Sequence, residues 1–90
     1  MSSDWTVEIA PPARRALRKL DRKAAARIVA WLETLTRERD NPRSTGKALA
    51  GELEGFWRYR VGPYRLICRI EDERLVVLVL KIGHRREVYR

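Results

Sequence analysis

Arg58 and Arg60 precede the turn signal Gly62-Pro63, and Arg65 follows it. If the loop is those two residues alone, Val61 pairs with Tyr64, Arg60 lies opposite Arg65, and Arg58 shares their face. Like charges directly opposed across strands disfavour folding by up to about 1 kcal/mol, so folding alone gives no reason to place them there. A bound anion does. The same pairing sets Val76, Leu78, Leu80 and Ile82 near the arginines, a mixed apolar and cationic floor suited to binding. The competing reading is a solvated face whose arginines pair with Glu71 or Glu87. The ending IGHRREVYR adds Arg85, the phenol of Tyr89 and, in His84, a possible acid or base near neutral pH. Guanidinium groups that grip phosphate, with groups that move a proton, suffice for metal-independent RNA cleavage by attack of a 2′-hydroxyl on the adjacent phosphate.

Other chemistries find no support. No carboxylate or Cys/His cluster has metal-ligand spacing, no glycine-rich phosphate loop precedes a helix, and no Ser/His/Asp set can be assembled. No metal and no cofactor are therefore expected. Cys68 reads as a small core residue. Arg14, Arg15, Arg18, Lys19, Arg22 and Lys23 form the polar side of helical patterns, either simply solvated or docking weakly on the phosphate backbone of rRNA.

The chain has 90 residues and a net charge of +8, with a sequence pI near 10.6. That length suggests one domain over residues 1–90, and that charge an anionic partner. The cationic excess is spread along the chain, so placement carries more information than total. The lone cysteine makes no internal disulfide, and the longest apolar run, Leu75 to Leu80, is too short to span a membrane. With no signal-peptide pattern at the N-terminus, a cytoplasmic protein without a membrane partner is expected.

The elements that must position these groups follow from periodicity. Trp5, Val7 and Ile9 alternate with polar residues as in a half-buried strand, ended by Pro11-Pro12. Ala13, Ala16, Leu17 and Leu20 have helical spacing; Asp21 reads as the cap of a second helix carrying Ile28, Trp31, Leu32 and Leu35. Asn41 to Gly55 reads as a loop with one helical turn near Lys47 to Leu49. Trp57 to Val61 and Tyr64 to Ile70 alternate as antiparallel strands. Leu75 to Ile82 reads as a strand covered on both faces, and Val88-Tyr89 as a short last strand. Gly83 is expected to bend the chain so that the ending turns toward the arginines. The predicted fold is α+β: an N-terminal strand, an antiparallel helical hairpin, then a 3-4-stranded antiparallel sheet with the helices on one face.

Four blocks of this sequence resemble the RelE/ParE superfamily of bacterial type II toxins, and within it the RelE-like mRNA interferases. They are Leu17-Arg18-Lys19-Leu20, Gly46-Lys47-Ala48-Leu49 with Gly51-Glu52-Leu53, GFWRYRVGPYRLICRI and VLVLKIGHRREVYR, so the resemblance spans nearly the whole chain. It implies a RelE-like toxin that enters the ribosomal A site and cuts mRNA there, inhibiting translation. It also implies a cognate RelB-like antitoxin that wraps the toxin, presenting an acidic amphipathic helix, with operator DNA engaged only through that antitoxin. Carried over by position, the family's basic pair falls on Arg58 and Arg60, its phosphate-binding arginine on Arg65, its later arginine on Arg85, and its nucleotide-orienting tyrosine on Tyr89. Where relatives can carry lysine in the basic pair this chain has arginine, a poor proton acceptor, which leaves the base to Tyr89 or His84. The shared scaffold leaves two alternatives: a ParE-like DNA gyrase inhibitor, and an inactive antitoxin-binding or co-repressor subunit.

Overall fold

The computed structural model describes residues 4–38 and 41–86. The first strand, β1 (Thr6–Ile9), leads through Ala10 into helix α1 (Pro11–Lys19), with Pro11 and Pro12 in the first turn, where a missing N–H is no loss. After Leu20, the Asp21 carboxylate accepts the Ala24 N–H at 2.9 Å and opens helix α2 (Arg22–Glu38), the capping role read from the sequence. Among the described residues no helix is long and apolar enough to cross a membrane.

The sheet follows: β2 (Lys47–Ala48), β3 (Trp57–Val61), β4 (Tyr64–Glu71) and β5 (Val76–His84). Its order is β1-β5-β4-β3-β2, antiparallel from β2 through β5, with β1 added parallel to β5. The architecture is α+β with the helices on one face, as the periodicity predicted, and the sheet has five strands. Ala13 of α1 and Ile28, Leu32 and Leu35 of α2 meet Tyr59, Val61, Leu66, Cys68, Val77, Val79 and Ile82 in a single core. β5 is an interior strand between β1 and β4, in keeping with its apolar run.

Three local expectations change. The helical turn expected at Lys47 to Leu49 is the edge strand β2: Gly46, at φ +81°, lets the chain turn and lie against Trp57 and Arg58. Short 3-10 turns flank it at Pro42–Ser44 and Gly51–Leu53. Leu75 belongs to the preceding turn at φ 53°, so β5 begins at Val76. Gly83 does not bend the chain; it is a strand residue of β5 paired with Arg65, and the turn comes at Arg85 and Arg86. The strand expected at Val88-Tyr89 lies outside the described residues.

Candidate nucleic-acid interface

The β3–β4 hairpin has the two-residue loop that the sequence suggested, with Val61 opposite Tyr64 and Arg60 opposite Arg65. Arg58, Arg60 and Arg65 therefore share the sheet face away from the helices, while Trp57, Tyr59, Val61, Tyr64, Leu66 and Cys68 supply the core face. The register extends the cationic face across neighbouring strands. One row runs Lys47, Arg58, Ile67, Lys81; the next runs Arg60, Arg65, Gly83. Neither row contains a carboxylate. Gly83 contributes no side chain to its row.

Lys81 reaches this face because of a bulge. Between Ile67 and Cys68 the β4–β5 register shifts, pairing Ile67 with Lys81 but Cys68 with Val79, and Leu80 is the extra residue. The shift reverses the alternation of β5. Val76 and Leu78 lie on the arginine face as expected, but Ile82 pairs with Leu66 and is buried at 6% exposure in the core. The apolar floor is thus shorter than strict alternation implied, and Lys81 stands opposite Ile67 where unbroken pairing would put Leu80.

The remaining predicted site residues divide clearly. Arg85 donates its backbone N–H to the Pro63 carbonyl at 2.9 Å, which anchors it beside the hairpin tip at the Arg60–Arg65 end. His84 pairs with Tyr64, and their rings meet edge-on with centroids 6.3 Å apart, so His84 stands on the helix side of the sheet and does not join the arginines. Its Nδ1 accepts the Arg86 N–H at 3.4 Å. Tyr89 and Glu87 lie outside the described residues. Glu71, the other carboxylate considered for the arginines, binds Arg74 at 3.1 Å, and Arg74 also holds Glu8 at 2.8 Å. Arg14, Arg15, Arg18, Lys19, Arg22 and Lys23 are exposed on the helical layer, a cationic surface separate from the sheet face.

The structure adds three cations that the sequence reading did not single out. Lys47 is placed by the edge strand, Lys81 by the bulge, and Arg27 by α2, whose guanidinium lies where a Cβ on Gly62 would approach it to 2.7 Å. Lys47 and Lys81 each had a sequence signal, as part of a quoted motif, and Arg27 had none. Beside β3 the segment 41–46 is pinned to the core: the Tyr59 hydroxyl donates to Pro42 O at 2.6 Å and the Trp57 indole N–H to Thr45 O at 2.8 Å. Arg43 makes a two-pronged ion pair with Asp72, at 2.8 and 2.9 Å, and that hydrogen bond holds the Asp72 carboxyl below its ordinary range. Burial pushes the Cys68 thiol and the Tyr59 phenol well up, so both are neutral fillers. Among the described residues no three His, Cys, Asp or Glu side chains are grouped to hold a metal.

Residues 7–89 match the family described as ParE toxin of type II toxin-antitoxin system, parDE. The chain belongs to the RelE/ParE superfamily of toxins. It is 40% identical over 87 residues to Toxin RelG of Mycobacterium tuberculosis, covering 96% of this chain and 97% of that one. Toxin RelE of the same bacterium is 35% identical over 92 residues, with 100% and 93% covered. The toxin superposes on a chain of the M. tuberculosis toxin-antitoxin complex RelBE2 with a TM-score of 0.82 at 37% identity, covering 94% of this chain and 95% of that one. For the isolated Escherichia coli RelE toxin the TM-score is 0.69 at 27% identity, with 94% and 90% covered. This RelE/ParE toxin is therefore a type II toxin of the RelE family, and its cationic sheet face is the surface its function must explain.

Proposed function

We propose that this toxin is a ribosome-dependent endoribonuclease that cuts mRNA in the A site and so arrests translation in the cytoplasm. The observation that carries the reading is the convergence of Arg58, Arg60 and Arg65 on one face, with Arg60 directly opposite Arg65. Three guanidinium groups on one face offer a phosphate several charge-assisted donors at once. In the reaction the 2′-oxygen attacks phosphorus and the bond to the 5′-oxygen breaks, leaving a 2′,3′-cyclic phosphate and a 5′-hydroxyl. Negative charge grows on the non-bridging oxygens, where preorganised guanidinium donors act most strongly. Arg85, at the hairpin end, stabilises or protonates the leaving oxygen, and Tyr89 orients the base. With His84 on the far side of the sheet, Tyr89 is the remaining acceptor for the 2′-hydroxyl proton. No resident metal or cofactor is part of this scheme.

A cognate RelB-like antitoxin follows from the relatives, of which RelBE2 is a toxin-antitoxin complex. An acidic amphipathic helix is complementary to the cationic face, and operator DNA is reached only through that antitoxin. Primer extension on mRNA translated with the toxin tests the site. Wild-type protein gives A-site cuts, and Arg65→Ala and Tyr89→Phe abolish them; undiminished cutting by both variants overturns the assignment.

A second reading, a gyrase-directed toxin, is favoured by the matched family's ParE description. Induction in cells separates the two: translation arrest supports the nuclease, and a DNA-damage response with translation intact supports the gyrase poison.

A further inference from the structure

β2 pairs with β3 only at Trp57 and Arg58, so the strand ladder on this edge of β3 stops before Tyr59. At this step in the sheet lies a cleft of about 250 Å³ lined by Trp31, Thr45, Gly46, Lys47, Arg58 and Arg60. It joins the cationic face to the helix side. One wall is basic, with Lys47 opposite Arg58 and Arg60 two residues further along. The other is aromatic: half-buried Trp31 is braced by Tyr59, ring centroids 5.0 Å apart at 57°.

The cleft is built and not incidental. A Cβ on Gly46 would come within 2.5 Å of both Arg58 O and Trp57 Nε1, so only glycine permits this approach of the loop to β3. The Trp57 indole bond to Thr45 O and the Tyr59 bond to Pro42 O fix the same loop from below. A cationic wall facing an aromatic plane is the arrangement by which single-stranded nucleic acid is held, phosphate on one side and base on the other. The volume is below the roughly 300–1,000 Å³ of pockets for drug-sized ligands, the scale of a subsite.

We propose that this cleft is a nucleotide subsite, in which Lys47 and Arg60 hold a phosphate and Trp31 stacks on the base of an RNA nucleotide adjacent to the one cleaved. The subsite deepens the nuclease reading and rests on it for the identity of the RNA. Thr45, whose hydroxyl both donates and accepts, is the group at the base edge able to discriminate among bases. Stacking itself tolerates every base, so Trp31 supplies affinity and Thr45 preference.

The test uses the full-length toxin and does not require the ribosome. Adenosine, guanosine, cytidine and uridine 5′-monophosphates are titrated while the indole N–H resonances are followed, that of Trp31 being assigned by its loss in Trp31→Phe. The expected result is a shift of the Trp31 resonance with nucleotides, absent with inorganic phosphate, and about tenfold weaker binding for the exposed-site variant Lys47→Ala. In the translation assay Lys47→Ala is expected to raise KM with kcat retained, and Thr45→Val to alter the nucleotide preference next to the cut. An unmoved Trp31 resonance in a toxin that still cleaves mRNA overturns the subsite and leaves the nuclease intact. A shifted Trp31 in a toxin that never cleaves upholds the nucleotide site and overturns the nuclease.

Discussion

Arg60 and Arg65 face each other across the β3–β4 ladder, and such pairs of like charge weaken a sheet. Arg60 is the exposed member, so Arg60→Gln isolates its electrostatic contribution while retaining a long polar side chain. Chemical denaturation is expected to show the variant unchanged or more stable, by up to about 1 kcal/mol. Its A-site cutting is expected to fall at least about tenfold, the loss from one charge-assisted phosphate contact. A variant less stable than wild type would mean that Arg60 serves the fold. Tyr59 gives the opposite case. Its ring is fully buried, 0% exposed, and its hydroxyl donates to Pro42 O at 2.6 Å. Tyr59→Phe leaves that carbonyl without its donor and is expected to cost about 1–3 kcal/mol in the same measurement.

Among the elements, the β3–β4 hairpin was the most legible in the sequence, because a Gly62-Pro63 turn and strict alternation fix register together. The arginine cluster was legible with it. β5 was not, because the bulge at Leu80 leaves no mark in a run of apolar residues, and with it went the placement of Ile82, Lys81 and His84. The parallel docking of β1 was also hidden, since its partner lies some seventy residues on and no local pattern names it. β2 was read as helix because two residues carry no period; what makes them a strand is the contact of Gly46 with β3. Gly46→Ala tests that contact. A Cβ there is strained by the positive φ and collides with the Arg58 carbonyl, so a loss of at least about 1–2 kcal/mol is expected. Amide exchange should rise first at Lys47, Ala48 and Leu49 as the edge strand detaches. An exchange pattern unchanged there would mean that β2 is held by something other than the glycine.

For the molecule as a whole, the helices and the inner sheet face make the core, and the outer face carries the clustered cations. The core nonetheless holds two groups that titrate. Cys68 and Tyr59 are both 0% exposed, and burial raises the pKa of each in the folded state. In the unfolded chain they ionise near about 8.5 and 10. Below those values both states bind the same protons and the groups contribute no pH dependence. Above them the unfolded chain releases protons that the folded core retains, so the unfolded state binds fewer and stability falls as pH rises. Each group removes about 1.4 kcal/mol per pH unit once past its unfolded pKa. The midpoint of urea unfolding is therefore expected to hold steady from neutrality to about pH 8.5 and then drop, more steeply beyond about pH 10. Cys68→Ala should delay the onset to the tyrosine range, although the smaller side chain lowers stability at every pH. If onset stays unchanged in Cys68→Ala, the first loss comes from elsewhere, such as cations surrendering their charge at the surface. A wild-type curve flat to pH 11 would mean that the core admits water to both groups, contrary to the packing of Tyr59 and Cys68 against Ile28, Leu32 and Val79 in one cluster.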